Sequence, residues 1–201
     1  MRRTLSCLAL SAAAFVLAGC SSTRILSSEK AVDVGPVDLQ GQKVMAWVID
    51  PREEIRDRAE TALAAELSKR GMEGIAAHTV VPAAVRADQA QAKAAVHASG
   101  ALALVTTRLI ATEEKQQYVP AVYDRDVDLY GAGWMVTHER GYYDSYGIFT
   151  IETRCFRVAD EKLLWTGTSE TVDPADLNAL VKSLVKEAGK VMARQGLVKK
   201  K

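Results

Sequence analysis

The chain has no large excess of charge of either sign and no apolar segment long enough to cross a bilayer. Lysine and arginine number 26 against 25 aspartates and glutamates, whereas nucleic-acid-binding domains are strongly basic and disordered acidic chains are strongly acidic. The longest largely apolar run, residues 5–17, is shorter than the roughly 18 to 20 residues of a membrane-spanning helix. With an apolar fraction of 48%, the composition instead predicts one packed globular domain.

Sequence motifs of catalysis are missing as well. The three histidines, His78, His97 and His138, are far apart, and no cysteine or acid spacing matches a zinc site. There is no Gly-x-Ser-x-Gly nucleophile elbow, and the acidic segment 124–128 lacks the glycine and the terminal glutamate of a calcium loop. We therefore predict no catalytic residue, no metal site and no cofactor. An envelope hydrolase that uses His138 is the least favoured alternative.

The N-terminal segment ends in a lipid-attachment motif. Arg2 and Arg3 precede an apolar stretch that closes with Leu17-Ala18-Gly19-Cys20, the order of a secretory signal. The motif resembles the bacterial lipobox. This resemblance implies cleavage between Gly19 and Cys20, a diacylglycerol thioether on Cys20 with a further acyl chain such as palmitate, and firm membrane anchoring. An ordinary cleaved signal, or a membrane helix that contains a cysteine, is the alternative. Ser21 follows in place of the aspartate that marks inner-membrane retention, which favours the inner leaflet of the outer membrane, facing the periplasm.

Cysteine is scarce once this processing is considered. Removal of the signal discards Cys7 and acylation uses Cys20, so only Cys155 remains in a compartment that permits disulfides. An intrachain disulfide is thereby excluded. We predict that Cys155 is a buried apolar side chain, the usual environment of free cysteine. A reactive or intermolecular thiol is the alternative.

Composition divides the mature chain into three parts. Residues 20–42 are rich in Ser, Asp and Gly, which predicts a lipidated N-terminus and a tether, unless part of it packs against the domain. Residues 43–198 carry hydrophobic patterning and are predicted to form a single globular domain. Residues 199–201, all lysine, are predicted to be a solvated basic tail.

Periodicity and capping residues predict the elements of the domain. Residues 43–49 form an unbroken apolar run, which is typical of a central strand covered on both faces. Asp50-Pro51 and Asp173-Pro174 are N-terminal signals ahead of amphipathic helices. The predicted helices are 51–70, 87–98 and 173–196, the strands are 43–49, 75–81, 101–110, 147–158 and 162–171, and the turns are 113–115 and 160–161.

This order of elements predicts an α+β fold. The early strands alternate with helices, so their crossovers should be right-handed. The last two strands are joined by a compact turn and should pair antiparallel. We therefore predict a mixed β-sheet with early βαβ crossovers, a C-terminal antiparallel meander and helices mainly on one face.

The C-terminal half resembles small Gram-negative envelope lipoproteins classed as a domain of unknown function. The likeness rests on the strand near 147–153, the turn at Asp160 and the segment Lys162-Leu163-Leu164-Trp165-Thr166-Gly167. An early strand with Trp47 and a helix that ends in Leu67 to Gly71 agree with it. The resemblance implies an envelope location and a fold, and no activity.

The tyrosines are confined to one segment. All six fall between positions 118 and 146, with Trp134 and three glycines among them. Tyrosine combines a large contact area with a polar tip and little rotamer entropy, which enriches it at recognition surfaces. The segment is therefore either a long hairpin whose aromatics pack on the sheet edge or a partner-binding face formed by Tyr118, Tyr123, Tyr130, Trp134, Tyr142 and Tyr143.

These observations lead to two hypotheses of different kinds. The leading one is a lipid-anchored, non-catalytic envelope lipoprotein that binds or scaffolds another envelope protein. The alternative is a periplasmic carrier of a small apolar ligand that lies in a cleft between sheet and helices. A filled interface between sheet and helices would count against the carrier.

Overall fold

The structure, a computed structural model, describes residues 22–120 and 142–198. None of the described helices is long and apolar enough to pass through a bilayer. The elements are β1 (Ser22–Lys30), β2 (Lys43–Ile49), α1 (Glu53–Ser68), β3 (Glu73–Ala76), a 3-10 turn (Ala77–Thr79), α2 (Ala83–Arg86), α3 (Gln89–Ala98), β4 (Ala103–Val119), β5 (Tyr142–Arg157), β6 (Leu163–Val172) and α4 (Leu177–Arg194).

The strands form one mixed sheet in the order β1-β6-β5-β4-β2-β3. Strand β2 pairs in parallel with β3 and β4, whereas the pairs β4–β5, β5–β6 and β6–β1 are antiparallel. The tight turn between β5 and β6 places Glu161 at a φ of 54°. The predicted α+β fold, with early crossovers and later antiparallel strands, is confirmed.

Helices cover both faces of the sheet unequally. The two long helices, α1 and α4, contact each other over one face, where Val44, Ala46 and Trp165 are buried. The shorter α3 covers the other face, where Val96 packs in a smaller cluster with Met45. Strand β2 is therefore buried from both sides, as its unbroken apolar run predicts.

The segment predicted to be a tether is an edge strand over residues 22–30. Strand β1 runs antiparallel to β6, with a register shift between Ile25 and Ser27, and a hydrogen bond of 2.7 Å joins the hydroxyls of Thr23 and Thr171. Over these residues the alternative holds, in which part of the segment packs against the domain. The strand was not predicted because an edge strand that is half exposed needs no apolar run. After β1, Val34 is buried in the main core, so the segment packs against the domain.

Other predicted boundaries also differ from the structure. The last helix begins at Leu177, after the N-cap Asp176, and not at Asp173-Pro174. Residues 113–115 were expected to be a charged turn, but they lie within β4 and pair with β5. The Asp50 carboxylate accepts the N–H of Arg52 at 2.8 Å, so α1 begins at Glu53 and Pro51 stands before it. The strand predicted over 75–81 ends at Ala76, where the chain enters the 3-10 turn.

Strands β4 and β5 extend beyond the rest of the sheet. β6 stops at the level of Ile148, where Val172 is its last paired residue. Beyond that level, residues 114–119 pair only with residues 142–147. We call this two-stranded extension the β4–β5 ribbon.

Candidate functional site

A cavity of about 820 Å³ lies between α1, α4 and the sheet. This volume falls within the range of small-molecule sites, roughly 300–1,000 Å³. Most of its wall is aliphatic, so the interface between sheet and helices is not filled by side chains alone. The aliphatic lining residues are Leu39, Val44, Leu63, Leu67, Met72, Val105, Leu184, Val185, Ala188, Met192, Ala193 and Val198.

The helical wall follows from the sequence pattern of α4. Its side chains recur at helical spacing, and Val181, Leu184, Val185 and Ala188 are buried. The Asp176 carboxylate accepts the N–H of Ala179 at 2.7 Å and starts this helix. The predicted apolar stripe of the last helix is thus confirmed, and it forms one side of the cavity.

Polar atoms on the floor of the cavity come from two neighbouring strands. In the antiparallel pairing of β4 and β5, Val105 lies opposite Cys155 and Thr107 lies opposite Thr153. Thr153 is 5% exposed, and its Oγ1 atom makes no hydrogen bond with any described residue. A buried hydroxyl without a partner costs about 1–3 kcal/mol, so this group in the floor lowers the stability of the fold.

The thiol beside this hydroxyl is inert. Cys155 is buried, as predicted, and burial raises the pKa of its thiol to about 12. The thiolate is the reactive form of cysteine. Cys155 therefore contributes an apolar wall to the cavity, and no nucleophile.

The rim of the cavity is mostly cationic. Five lysine and arginine side chains line it, against the carboxylates of Asp38 and Glu187. Lys190 pairs with Glu187 at 2.7 Å. The five cations are Lys69, Arg70, Lys186, Lys190 and Arg194.

One carboxylate that is not part of the cavity lining forms ion pairs with two of these cations. Glu66 pairs with Lys69 at 2.6 Å and with Arg70 at 2.8 Å. Although its burial opposes ionisation, these two hydrogen bonds hold the pKa of Glu66 below its ordinary value. The rim thus keeps more positive than negative charge.

The motif that carries the family resemblance has a packing role. Trp165 is 1% exposed, and its indole lies so close to Gly167 that a Cβ there would be 2.3 Å from the ring. The indole N–H donates to Gln195 at 2.8 Å. The Trp-x-Gly spacing therefore fixes β6 to the end of α4.

Half of the predicted partner-binding residues lie in the β4–β5 ribbon. Tyr118, Tyr142 and Tyr143 are there, with exposures of 53%, 61% and 71%. The rings of Tyr118 and Tyr143 are 5.2 Å apart. Tyr123, Tyr130 and Trp134 lie outside the described residues, as do Gly19, Cys20 and His138.

Sequence analysis missed a buried carboxylate on α1. Glu60 is fully buried, and Arg86 of α2 donates to both of its oxygens at 2.7 and 2.8 Å. The N–H groups of Val48 and His78 donate to it at 3.0 and 2.7 Å. The Arg86 guanidinium also lies 4.3 Å from the Trp47 ring. Nothing in the sequence indicates that residue 86 is the partner of residue 60.

The Glu60 carboxylate also belongs to a group of three side chains that are close enough to one another to hold a metal ion. Ligand atoms of Asp57, Glu60 and His78 lie within 4.8 Å of one another. Glu60 already has Arg86 as its counter-charge, and Asp57 pairs with Arg56 at 3.0 Å. This arrangement is an ion-pair cluster of the helical layer, and we assign no cation to it.

The sequence matches no protein-family model and no curated protein. Among solved structures, it is similar to the PelC dodecamer from Paraburkholderia phytofirmans, at 13% identity and a TM-score of 0.42, covering 88% of this chain and 98% of that one. It is also similar to lipoprotein GNA1162 from Neisseria meningitidis, at 16% identity and a TM-score of 0.40, covering 79% and 99%. At this level of similarity nothing about the function of this chain follows, and the family resemblance stays a prediction.

Proposed function

We propose that this chain is a lipid-anchored, non-catalytic carrier of a small apolar or amphipathic ligand in the cell envelope. The lipobox-like motif at Cys20 supports the anchor, the outer-membrane inner leaflet and the periplasm-facing orientation. The cavity between sheet and helices supports the carrier, which was the alternative at the level of sequence. The observation that carries the proposal is this aliphatic cavity, with the unpartnered hydroxyl of Thr153 in its floor.

Displacement of a fluorescent apolar dye by decanol tests ligand binding. The protein is the chain from residue 20 with Cys20→Ser, which keeps every described residue and needs no detergent. A Cβ on Gly189 would meet nothing within 4 Å, so Gly189→Leu should place a side chain in the open space along the cavity. We expect this variant to lose most of its affinity for dye and decanol.

Lys182→Leu is the matched control for this substitution. It adds leucine to the same helix at an exposed position outside the cavity lining, so its dye binding should equal that of the parent chain. Equal binding by the parent chain and by Gly189→Leu would contradict the carrier.

A second variant tests the floor of the cavity. Thr153→Val removes this hydroxyl, which has no hydrogen-bond partner among the described residues, so the free energy of unfolding should rise by about 1–3 kcal/mol. Thr171→Val is the contrasting control, because the buried Thr171 hydroxyl is bonded to Thr23 and its loss should destabilise the fold. Denaturant unfolding measures both. A loss of stability in Thr153→Val would contradict the role assigned to its hydroxyl.

A second function, docking of an envelope protein, is favoured by the exposed tyrosines of the β4–β5 ribbon. A two-stranded ribbon is only marginally stable alone, and three large rings on it are in contact with water. We expect Tyr118→Ala combined with Tyr143→Ala to abolish crosslinking to a partner in native envelopes without lowering thermal stability. A large loss of stability would instead show that the rings hold the ribbon together.

The anchor itself has a direct test. Mass spectrometry of the protein purified from membranes should show Cys20 as the first residue, with acyl chains attached. An unmodified thiol at this position, or a different start, would contradict the anchor and leave the ligand measurements unaffected.

A further inference from the structure

We infer that the ligand of the cavity is an anionic amphiphile, with its apolar chain against the aliphatic wall and its acidic head group at the rim beside Lys186 and Arg194. The inference rests on the proposed carrier function and names the chemical class of what is carried.

The first support is the arrangement of cations along α4. Lys186, Lys190 and Arg194 are spaced four residues apart, which places them in one row on the helix surface, and all three line the cavity. Lys69 and Arg70, which share the single carboxylate of Glu66, follow the end of α1 and also line the cavity. A head group at the mouth therefore meets positive charge from both helices.

The second support is that two cations of the row have no counter-charge among the residues that the structure describes. Lys190 is paired with Glu187. Among the described residues, by contrast, neither Lys186 nor Arg194 has a carboxylate within ion-pair distance; Arg194 donates instead to the Lys190 carbonyl at 3.4 Å. Charge complementarity therefore favours a carboxylate or phosphate over a neutral or cationic head group.

Stabilisation of helix ends explains why some of these cations are present, but it does not explain Lys186. A cation in the last turn stabilises the negative C-terminal end of a helix, and Lys69, Arg70 and Arg194 all lie near such ends. The effect falls off within the last turn. Lys186 lies two turns before the end of α4, so it is the residue that distinguishes a ligand-binding rim from a stabilised helix end.

The decisive experiment compares three ligands that differ only in the head group. Decanoate, decanol and decylammonium are titrated calorimetrically, below their aggregation concentrations, into the chain from residue 20 with Cys20→Ser. We expect decanoate to bind most tightly and decylammonium most weakly. The preference for decanoate should shrink as the ionic strength rises, because salt screens exposed charges.

Substitution at the rim gives the second arm. Lys186→Gln should weaken decanoate binding by roughly two- to fivefold, the range of one exposed ion pair, and leave decanol binding unchanged. Lys182→Gln, one turn earlier on α4 and outside the lining, is the matched control and should change neither. The double variant Lys186→Gln/Arg194→Gln should bind decanoate and decanol about equally.

The possible results separate this inference from the carrier proposal. Equal affinity for the three ligands, with no effect of Lys186→Gln, would overturn the anionic head group while decanol binding still supported a carrier. Failure of all three ligands to bind would overturn both the anionic head group and the carrier function. If Lys182→Gln also weakened decanoate binding, the effect would come from the overall charge of α4. This result would overturn the placement of the head group at the rim.

Discussion

At the residue scale, the Glu60 carboxylate has the most complete set of partners in the helical layer. Arg86 and two backbone N–H groups satisfy its oxygens in a site with no solvent contact. Breaking a buried pair leaves the other charge uncompensated, which costs far more than the pair itself contributes. This cluster therefore fixes α1, α2 and the end of β2 relative to one another.

Glu60→Ala should lower the free energy of unfolding by about 3–5 kcal/mol, because it leaves Arg86, whose side chain is only 10% exposed, without its carboxylate partner. Urea denaturation measures this. Glu54→Ala on the same helix, where Glu54 is exposed and 3.9 Å from Arg58, should change stability by less than about 0.5 kcal/mol. Similar losses in the two variants would contradict the assigned role.

The buried thiol of Cys155 makes stability depend on pH in the alkaline range. Because burial raises its pKa to about 12, the folded state keeps the proton that the unfolded chain releases near its ordinary value. The contribution is therefore fully present below about pH 9 and is lost as the pH rises towards 12, at about 1.4 kcal/mol per unit inside this window.

Comparison with Cys155→Ala isolates this contribution. The variant lacks the titrating group, so the stability of the parent chain relative to it should fall between about pH 9 and pH 12. Denaturant unfolding across this range, with both chains at each pH, gives the difference. A constant difference would show that the thiol is accessible to water in the folded protein.

At the scale of elements, Trp165 connects β6, α4 and β1. Its indole donates to Gln195 at the end of α4, and the Gln195 amide donates to the Ser28 hydroxyl of β1 at 3.0 Å. Gly167 permits this arrangement, since a Cβ at this position would lie only 2.3 Å from the indole. The edge strand and the helix are thus held by one ring and one amide.

Gly167→Ala should displace that ring and destabilise the protein by about 1–3 kcal/mol, the usual cost of overpacking a core. Gly189→Ala is the matched control, because its Cβ would meet nothing within 4 Å in the middle of a helix, and it should stabilise by about 0.5–1 kcal/mol. Thermal unfolding measures both. A neutral Gly167→Ala would show that Trp165 has room to move.

At the scale of the whole molecule, strand register would set the orientation of the domain on a membrane if Cys20 carries the proposed lipid anchor. Ser22 lies level with Val172, Ile148 and Glu113, which is the end of the sheet from which the β4–β5 ribbon extends. Two residues span at most about 7 Å, so a lipid on Cys20 would hold this end at the bilayer. The ribbon and its tyrosines should then lie close to the membrane surface.

Lipidated protein in vesicles that contain nitroxide lipids tests this orientation. A fluorophore on Tyr143→Cys in the ribbon should be strongly quenched, whereas one on Asp160→Cys in the β5–β6 turn, at the other end of the sheet, should not. Equal quenching at the two positions would contradict the orientation, and dissociation from the vesicles would contradict the anchor.

The sequence by itself determined the class of fold and most of its helices and strands. These elements can be recognised from adjacent residues and their spacing in the sequence. Examples are the apolar run of β2, the apolar stripe of α4 and the compact turn before β6. Such signals are local. A strand buried on both faces, a helix with one apolar stripe and a tight turn each restrict the residue types within one short stretch of sequence. For the cavity, the sequence indicated only the apolar faces of α1 and α4 that form part of its wall.

Only the tertiary structure decided which polar residues belong to the sheet, the core and the cavity. Strand β1 has no apolar run, since its stability comes from pairing with β6, and the partner of Glu60 lies 26 residues away. The Thr153 hydroxyl and the cations of the rim likewise come together only where α1 and α4 meet the sheet. These features depend on contacts between distant segments, which local patterning does not encode.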